Sequence, residues 1–356
     1  VPSVFVKAGS VRADSSPRKA LRWTPEGALK ACLRTRLEWR FEARNAMLDY
    51  LDEDAVASAL PYDALIPAMA DALVAYSRGQ VLQPLRQWLT LEEGSRYLGI
   101  MPAAGAGTLG VKLVSFFPSN DERTLPSIHA LVVLFDDQSG VPLALLDART
   151  LTARRTAAVS AAMVKQLAPS EALVLAILGS GREAHSHLEA IAAVRAISEV
   201  RVWSRTPANA RAFAAHHCAQ HAAHALSAHE AVRDADIVVT ATPARTPILA
   251  GAWLKPGALV CAIGAPMPTW RELDDAAMAE RLIVESRDAA RAESGDIILS
   301  GASIHAEAGE VLSGLVATPP GVTTIFKSVG MAIEDVTAAH LAYARHRAAS
   351  GSRPGA

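Results

Sequence analysis

The feature that most constrains this chain is an unbroken apolar run, Leu173-Val174-Leu175-Ala176-Ile177-Leu178, that passes directly into Gly179-Ser180-Gly181-Arg182-Glu183-Ala184 and then into a helical pattern. A buried strand, a GxGxxA turn and a helix in that order make a cradle for a dinucleotide. The first glycine permits the tight turn, the second lets a pyrophosphate approach the backbone, and Ala184 lets helix pack closely on strand. The helix N-terminus then offers free N–H groups to phosphate oxygens. Gly179, Ser180, Gly181, Arg182, Glu183 and Ala184 are therefore the expected cofactor-binding loop.

The surrounding text fits this reading. Short apolar strands alternate with helices from Ala172 to about Phe326: Leu173 to Leu178, Val200 to Ser204, Ile237 to Thr240, Leu259 to Ile263 and Arg281 to Val284. That rhythm predicts an α/β Rossmann unit, a doubly wound parallel sheet. Before it, Leu48, Leu51, Val56, Leu60, Leu65, Met69 and Leu73 recur at helical spacing. Strand-like pieces follow at Gln87 to Leu91, Tyr97 to Met101, Gly110 to Phe117 and His129 to Asp136, separated by turn-formers. An Ala-rich helix starts near Thr152 and runs to about Leu167, and another helical pattern spans Lys327 to Ala349. The expected organisation is a basic N-terminal extension at 1–45, a Rossmann domain at 168–324 inserted into an α+β substrate-binding and dimerisation domain built from 46–167 and 325–350, and a disordered tail at 351–356.

The second strand of the dinucleotide unit ends at Ser204-Arg205-Thr206, with no acidic residue to accept hydrogen bonds from a free ribose 2′-OH. An arginine there suits a 2′-phosphate, so NADPH is favoured and NADH remains possible. The competing reading makes Arg205 a solvated residue at a helix start.

Composition removes other classes. The 35 basic and 36 acidic residues nearly cancel, which gives no pull toward nucleic acid or an anionic membrane. No apolar run is long enough for a membrane span. Cys32, Cys218 and Cys261 have no ligand spacing and read as reduced thiols of a cytoplasmic protein. The first forty-five residues are rich in Lys and Arg, and upstream sequence, a targeting arm and an ordered extension all stay open for them. His185 and His187, two apart, fall on different helix faces, and His216, His217, His221 and His224 read as helix surface, so no metal site is expected. His129 is a neighbour of the pocket at most.

Several ordered motifs resemble the ornithine cyclodeaminase/μ-crystallin family from about Met47 to Tyr343. They are Gln83-Pro84-Leu85-Arg86, Leu98-Gly99-Ile100-Met101-Pro102-Ala103, Val111-Lys112-Leu113-Val114 and Leu151-Thr152-Ala153-Arg154-Arg155-Thr156-Ala157-Ala158. Further on stand Gly264-Ala265-Pro266-Met267-Pro268-Thr269-Trp270-Arg271-Glu272-Leu273-Asp274, Glu293-Ser294-Gly295-Asp296 and Ile325-Phe326-Lys327-Ser328-Val329-Gly330-Met331. The Trp-Arg-Glu-Leu-Asp-Asp and Phe-Lys-Ser pieces lean toward the ketimine reductase branch.

The resemblance implies that Arg86, Lys112 and Arg155 hold a substrate carboxylate, and that Thr156 and Ser328 lie beside the cofactor. It further implies a homodimer. Paired charge-assisted donors suit a carboxylate in a desolvated pocket, although each arginine alone could serve a surface ion pair. Lys112 and Asp296 are the expected catalytic groups, with Glu272 as a further acidic candidate. In the branch that expels ammonia an aspartate follows the Gly-Ala pair as general base. This chain has Pro266 there, which accepts no proton. The expectation is thus an NAD(P)H-dependent reductase of a small cyclic imino acid, Δ1-pyrroline-2-carboxylate or Δ1-piperideine-2-carboxylate. The alternatives are a cyclodeaminase or alanine dehydrogenase of the same family, or a non-catalytic NADPH-dependent binding protein.

Overall fold

A computed structural model of the chain describes residues 48–351 apart from 93, 94, 124, 219 and 220. The basic extension expected at 1–45, Cys32 and the tail beyond 351 lie outside the described residues.

In chain order the first lobe contains β1 (Asp49–Leu51), α1 (Glu53–Ala59), α2 (Tyr62–Ser77), β2 (Val81–Leu82), β3 (Gln87–Glu92), β4 (Arg96–Gly105), β5 (Thr108–Phe116), β6 (Ile128–Phe135), β7 (Pro142–Asp147) and α3 (Arg149–Leu167). The second continues with β8 (Val174–Leu178), α4 (Arg182–Ala192), β9 (Glu199–Trp203), α5 (Pro207–His216), β10 (Ala222–His224), α6 (Ala228–Val232), β11 (Ile237–Thr240), β12 (Leu259–Ala262), α7 (Asp275–Met278) and β13 (Arg281–Val284). It ends with α8 (Arg287–Glu293), α9 (Gly295–Ser300), β14 (Ile304–Glu307), α10 (Ala308–Leu312) and β15 (Thr324–Lys327), before α11 (Ala332–Gly351).

The first sheet runs β1-β7-β6-β5-β4-β2, with β3 also paired to β4. Its pairs are antiparallel except for β1 on β7. Side chains alternate across it, so Met101, Lys112, Val132 and Leu134 share the inner face while Leu89, Leu113 and Leu131 share the outer. Helix α11 returns from the far end of the chain to cover β4, β5 and β6 and to pack on α1, α2 and α3. In α2, Leu65, Met69 and Leu73 are four apart and fully buried, one stripe of a helix that a sheet cannot leave wet.

The second sheet is wholly parallel, ordered β10-β9-β8-β11-β12-β15-β13-β14. From β8 the chain moves outward through β9 and β10, then returns past β8 to β11 and β12. The reversal between β8 and β11 opens a crevice at their carboxyl ends, where ligands of such sheets bind. One expectation needs correction. Thr324 to Lys327 is not the start of the returning segment but a fully buried strand between β12 and β13. The Rossmann lobe therefore extends past 324, and the closing helix begins only at Ala332. Four apolar-rich residues before a glycine turn cannot be told from a helix start by periodicity alone.

Candidate active site

The glycine turn has the geometry a dinucleotide needs. Gly179 sits at φ +131°, and a Cβ there would stand 2.6 Å from the Ala241 carbonyl oxygen. Its N–H donates to the Trp203 carbonyl at 2.8 Å, which fixes the turn beside the end of β9 and so beside Ser204, exposed Arg205 and exposed Thr206. At Gly181 a Cβ would meet nothing within 4 Å, and α4 begins there with no side-chain cap, leaving its first N–H groups to a ligand. The Arg182 side chain turns instead toward the other lobe, donating to Glu53 at 2.7 Å and to the Thr150 hydroxyl at 2.8 Å. Hydrogen bonds from Arg149 and Thr150 pull the Glu53 carboxyl down to about 2, which strengthens this strap between lobes.

Between the lobes lies a cavity of about 330 Å³, in the size range of small-ligand sites. Arg86, Lys112, Arg155, Thr156, Glu183 and Ser328 all reach it. Three elements aim the cations inward. Lys112 projects from the inner face of β5, Arg155 from α3, and Arg86 from the segment before β3.

None of the three is a bare charge. Lys112 Nζ is 2.5 Å from Asp335 Oδ2, while Arg155 meets Asp335 Oδ1 at 2.9 Å and Glu334 Oε2 at 2.5 Å. Arg86 donates to the carbonyls of Val329 (2.7 Å) and Gly330 (3.0 Å) and lies 3.3 Å from Glu293. Gly330, at φ +76°, is what lets Arg155 lie so close: a Cβ would be 2.7 Å from its guanidinium. Glu285 braces this turn by accepting from Ser328 Oγ (2.6 Å), Val329 N (3.0 Å) and Gly330 N (2.8 Å).

Burial and crowding shift the groups. Desolvation pushes Lys112 down to about 8; Asp335 opposes the shift, and Arg155 and Arg86 add to it. Burial raises Glu334 well above the ordinary carboxylate range, helped by Glu285 and opposed by Arg155. Burial also lifts Glu183 to about 7 against the pull of Arg155, Lys112 and Arg182. A third of the Glu183 side chain is open, yet its Oε2 is shut off from solvent. Among the described residues, Glu183 Oε2, Thr152 Oγ1 and Arg86 Nε are buried without a hydrogen-bond partner, and all three residues line the cavity. Orphaned polar atoms converging on one space are what a polar ligand satisfies.

The rest of the lining is apolar. Trp88, Phe116 and Trp270 belong to it, joined through Tyr97 in a ladder of ring contacts at 6.1, 6.1 and 6.0 Å, and Val114, Ile263 and Met267 complete it. Pro266 also stands in this lining.

Two expected acids stand elsewhere. Asp296 is fully buried: Oδ1 accepts from the backbone N–H of Glu272 (2.8 Å) and Leu273 (3.0 Å), and Oδ2 faces Lys327 at 2.9 Å. Glu272 is equally buried and accepts from Thr240 Oγ1 (2.7 Å), Thr242 N (2.7 Å) and Thr242 Oγ1 (2.6 Å). Lys327 also donates to the Gly264 carbonyl. These groups tie together the loops that carry Thr242, Gly264, Pro266 and Trp270, so they frame the cavity from behind. With Asp296 held by two backbone donors on Oδ1, ion-paired to Lys327 through Oδ2 and absent from the cavity lining, the expectation of a catalytic Asp296 is withdrawn. His129 is on the outer sheet surface, away from this cavity.

Helical spacing also leaves unmarked the acids that matter most. Glu334 and Asp335 interrupt an apolar stretch, Ile333 to Val336, at the start of a helix, and Glu285 directly follows the carboxyl end of the buried strand β13. An acid in either setting is a signal for a buried cation.

The sequence pattern of the ornithine cyclodeaminase/mu-crystallin family matches residues 47–350. The chain belongs to this family. Within it, the chain is 46% identical over 286 residues to ketimine reductase mu-crystallin of Mus musculus, an alignment covering 78% of this chain and 91% of that protein. Among solved structures of similar fold, Thermococcus litoralis Δ1-pyrroline-2-carboxylate reductase in complex with NADH and L-proline superposes with a TM-score of 0.81 at 32% identity, over 85% of this chain and 98% of that one. An archaeal alanine dehydrogenase dimer with bound NAD gives 0.80 at 31% identity, over 85% and 97%.

Proposed function

We propose that this family member reduces a small cyclic ketimine carboxylate, Δ1-pyrroline-2-carboxylate or Δ1-piperideine-2-carboxylate, to proline or pipecolate. The observation that carries the reading is the convergence of Arg86, Lys112 and Arg155 on a largely apolar cavity beside a dinucleotide turn, with Pro266 where ammonia removal would need a base. The mouse ketimine reductase and the proline-bound archaeal structure support the same substrate class.

The reduced nicotinamide, when bound, supplies a hydride to the imine carbon. The chain's own residues do the rest. Arg155 and Arg86, preset by Asp335, Glu334 and the Val329 and Gly330 carbonyls, hold the substrate carboxylate in one orientation. The wall of Phe116 and Trp270 keeps water from the reacting carbon. As carbon gains hydride, the imine nitrogen gains a proton to become the ring amine. Lys112, at about 8, is tuned to donate it and is reprotonated from water after product leaves.

NADPH is preferred over NADH in this reading, because Arg205 stands at the end of β9 with no nearby acid in Ser204-Arg205-Thr206. A homodimer is supported by the partly exposed apolar outer face of the first sheet, with Leu89, Leu113 and Leu131 on it, and by the dimeric alanine dehydrogenase neighbour. No helix among the described residues is long and apolar enough to cross a membrane.

The test is loss of NADPH absorbance with either imine, run beside ammonia release from ornithine, lysine and alanine. Turnover with an imine supports the reading; ammonia release without imine turnover overturns it.

A further inference from the structure

His185, whose spacing from His187 gives no metal site, meets two histidines at the end of another helix. It lies in the first turns of α4, while His216 ends α5 and His217 follows it. One ring nitrogen from each lies within 4.8 Å of the others. His185 Nδ1 and His217 Nε2 are 2.6 Å apart, and the rings of His216 and His217 stand 4.7 Å centre to centre. Phe213 packs beneath, its ring 4.5 Å from His185 and 4.6 Å from His217.

We propose that His185, His216 and His217 form a binding site for one divalent transition-metal ion of the zinc class, joining α4 to α5 beside the dinucleotide turn. Nitrogens around a tetrahedral ion with bonds of about 2.0–2.1 Å sit roughly 3.3 Å apart. The closest pair must therefore open by under an ångström and the widest must close by about 1.5 Å. The exposed His216 ring is free to make that move, and buried His217 is already held on Phe213. Imidazole is a borderline ligand suited to Zn²⁺, Ni²⁺ and Co²⁺, and it binds only when neutral. The groove beside the rings, lined by Ser180 and Asn209, leaves an open side for a fourth ligand such as water.

The first arm titrates tag-free, chelator-treated full-length protein with Co²⁺ and reads the visible absorption of four-coordinate cobalt. Zn²⁺ competition and thermal melting follow. One equivalent is expected, displaced by Zn²⁺, with Zn²⁺ at about a hundredfold over its dissociation constant raising Tm by a few degrees. His216→Ala, an exposed change that leaves the core intact, should weaken binding at least tenfold; His224→Ala should leave it within twofold. No saturable binding, or binding equally strong in His216→Ala, overturns the proposal.

Discussion

Two buried charge networks lie on either side of the cavity wall, and their contrast shows which buried charges act and which hold. Behind the wall, Lys327, Asp296 and Glu272 are fully enclosed and tied mostly to backbone and threonine hydroxyls. In front, Lys112, Arg155 and Arg86 are tied to carboxylates and carbonyls on one side and reach open space on the other. A closed network is a structural joint. An open one has capacity left for a ligand, and its pKa values are set by a balance that a ligand can tip.

The largest expected effects separate the two networks. Lys327→Met leaves Asp296 buried without its cation and should cost about 3–5 kcal/mol of stability in denaturant titration. Lys112→Met should instead cut kcat/KM about a thousandfold, roughly 4 kcal/mol of transition-state stabilisation, while stability moves by under about 2 kcal/mol because Arg155 still pairs Asp335. If the two variants traded outcomes, with Lys327→Met inactive but stable, the division between joint and site would be wrong.

Next in size is pH. Lys112 donates a proton only while charged, so kcat/KM should fall tenfold per pH unit above about 8, an inflection missing in Lys112→Met. Stability runs the other way. The folded value lies below the unfolded value of about 10.4, so between the two the folded chain binds fewer protons and Lys112 makes stability rise with pH. Parallel activity and melting profiles that fall together above pH 8 would exclude Lys112 as the titrating group.

Much of this architecture is legible in residue order, and the exceptions have physical causes. The strand-GxGxxA-helix unit is local, and so is the alternation of buried strands that surrounds it. Strand β15 is missed because a sheet inserts it between β12 and β13 by long-range pairing that its own four residues do not encode. Arg86, Lys112 and Arg155 carry motif signals and do reach one cavity, whereas Asp296 has the same motif signal and faces a lysine behind it. Motif membership places a residue near a site; only the packing tells which face of the wall it serves. The three-histidine cluster is the same lesson, since no spacing joins residue 185 to 216 and 217 until α4 and α5 pack side by side.

A smaller effect tests the cofactor side of the open network. Arg205→Ser should weaken NADPH binding about tenfold, near 1.4 kcal/mol, and leave NADH within twofold, as measured by fluorescence titration. Equal losses for both cofactors would mean that Arg205 does not read a 2′-phosphate.

The smallest effect concerns Glu183, the acid that belongs to both the dinucleotide helix and the open network. Its folded value of about 7 lies above the unfolded value of about 4.3, so the folded chain holds the extra proton between them and stability from this group is lost as pH rises through 7. Glu183→Gln removes a charge the folded state disfavours. The variant should match the parent at pH 5 and exceed it at pH 8 by about 1 kcal/mol, the full shift being discounted because a third of the side chain is solvated. A variant less stable at pH 8 would show that Arg155 and Lys112 already hold the ionised carboxylate at no cost. Glu183 would then belong with Asp335 as a fixed counter-ion instead of serving as a proton-binding element at the mouth of the cofactor turn.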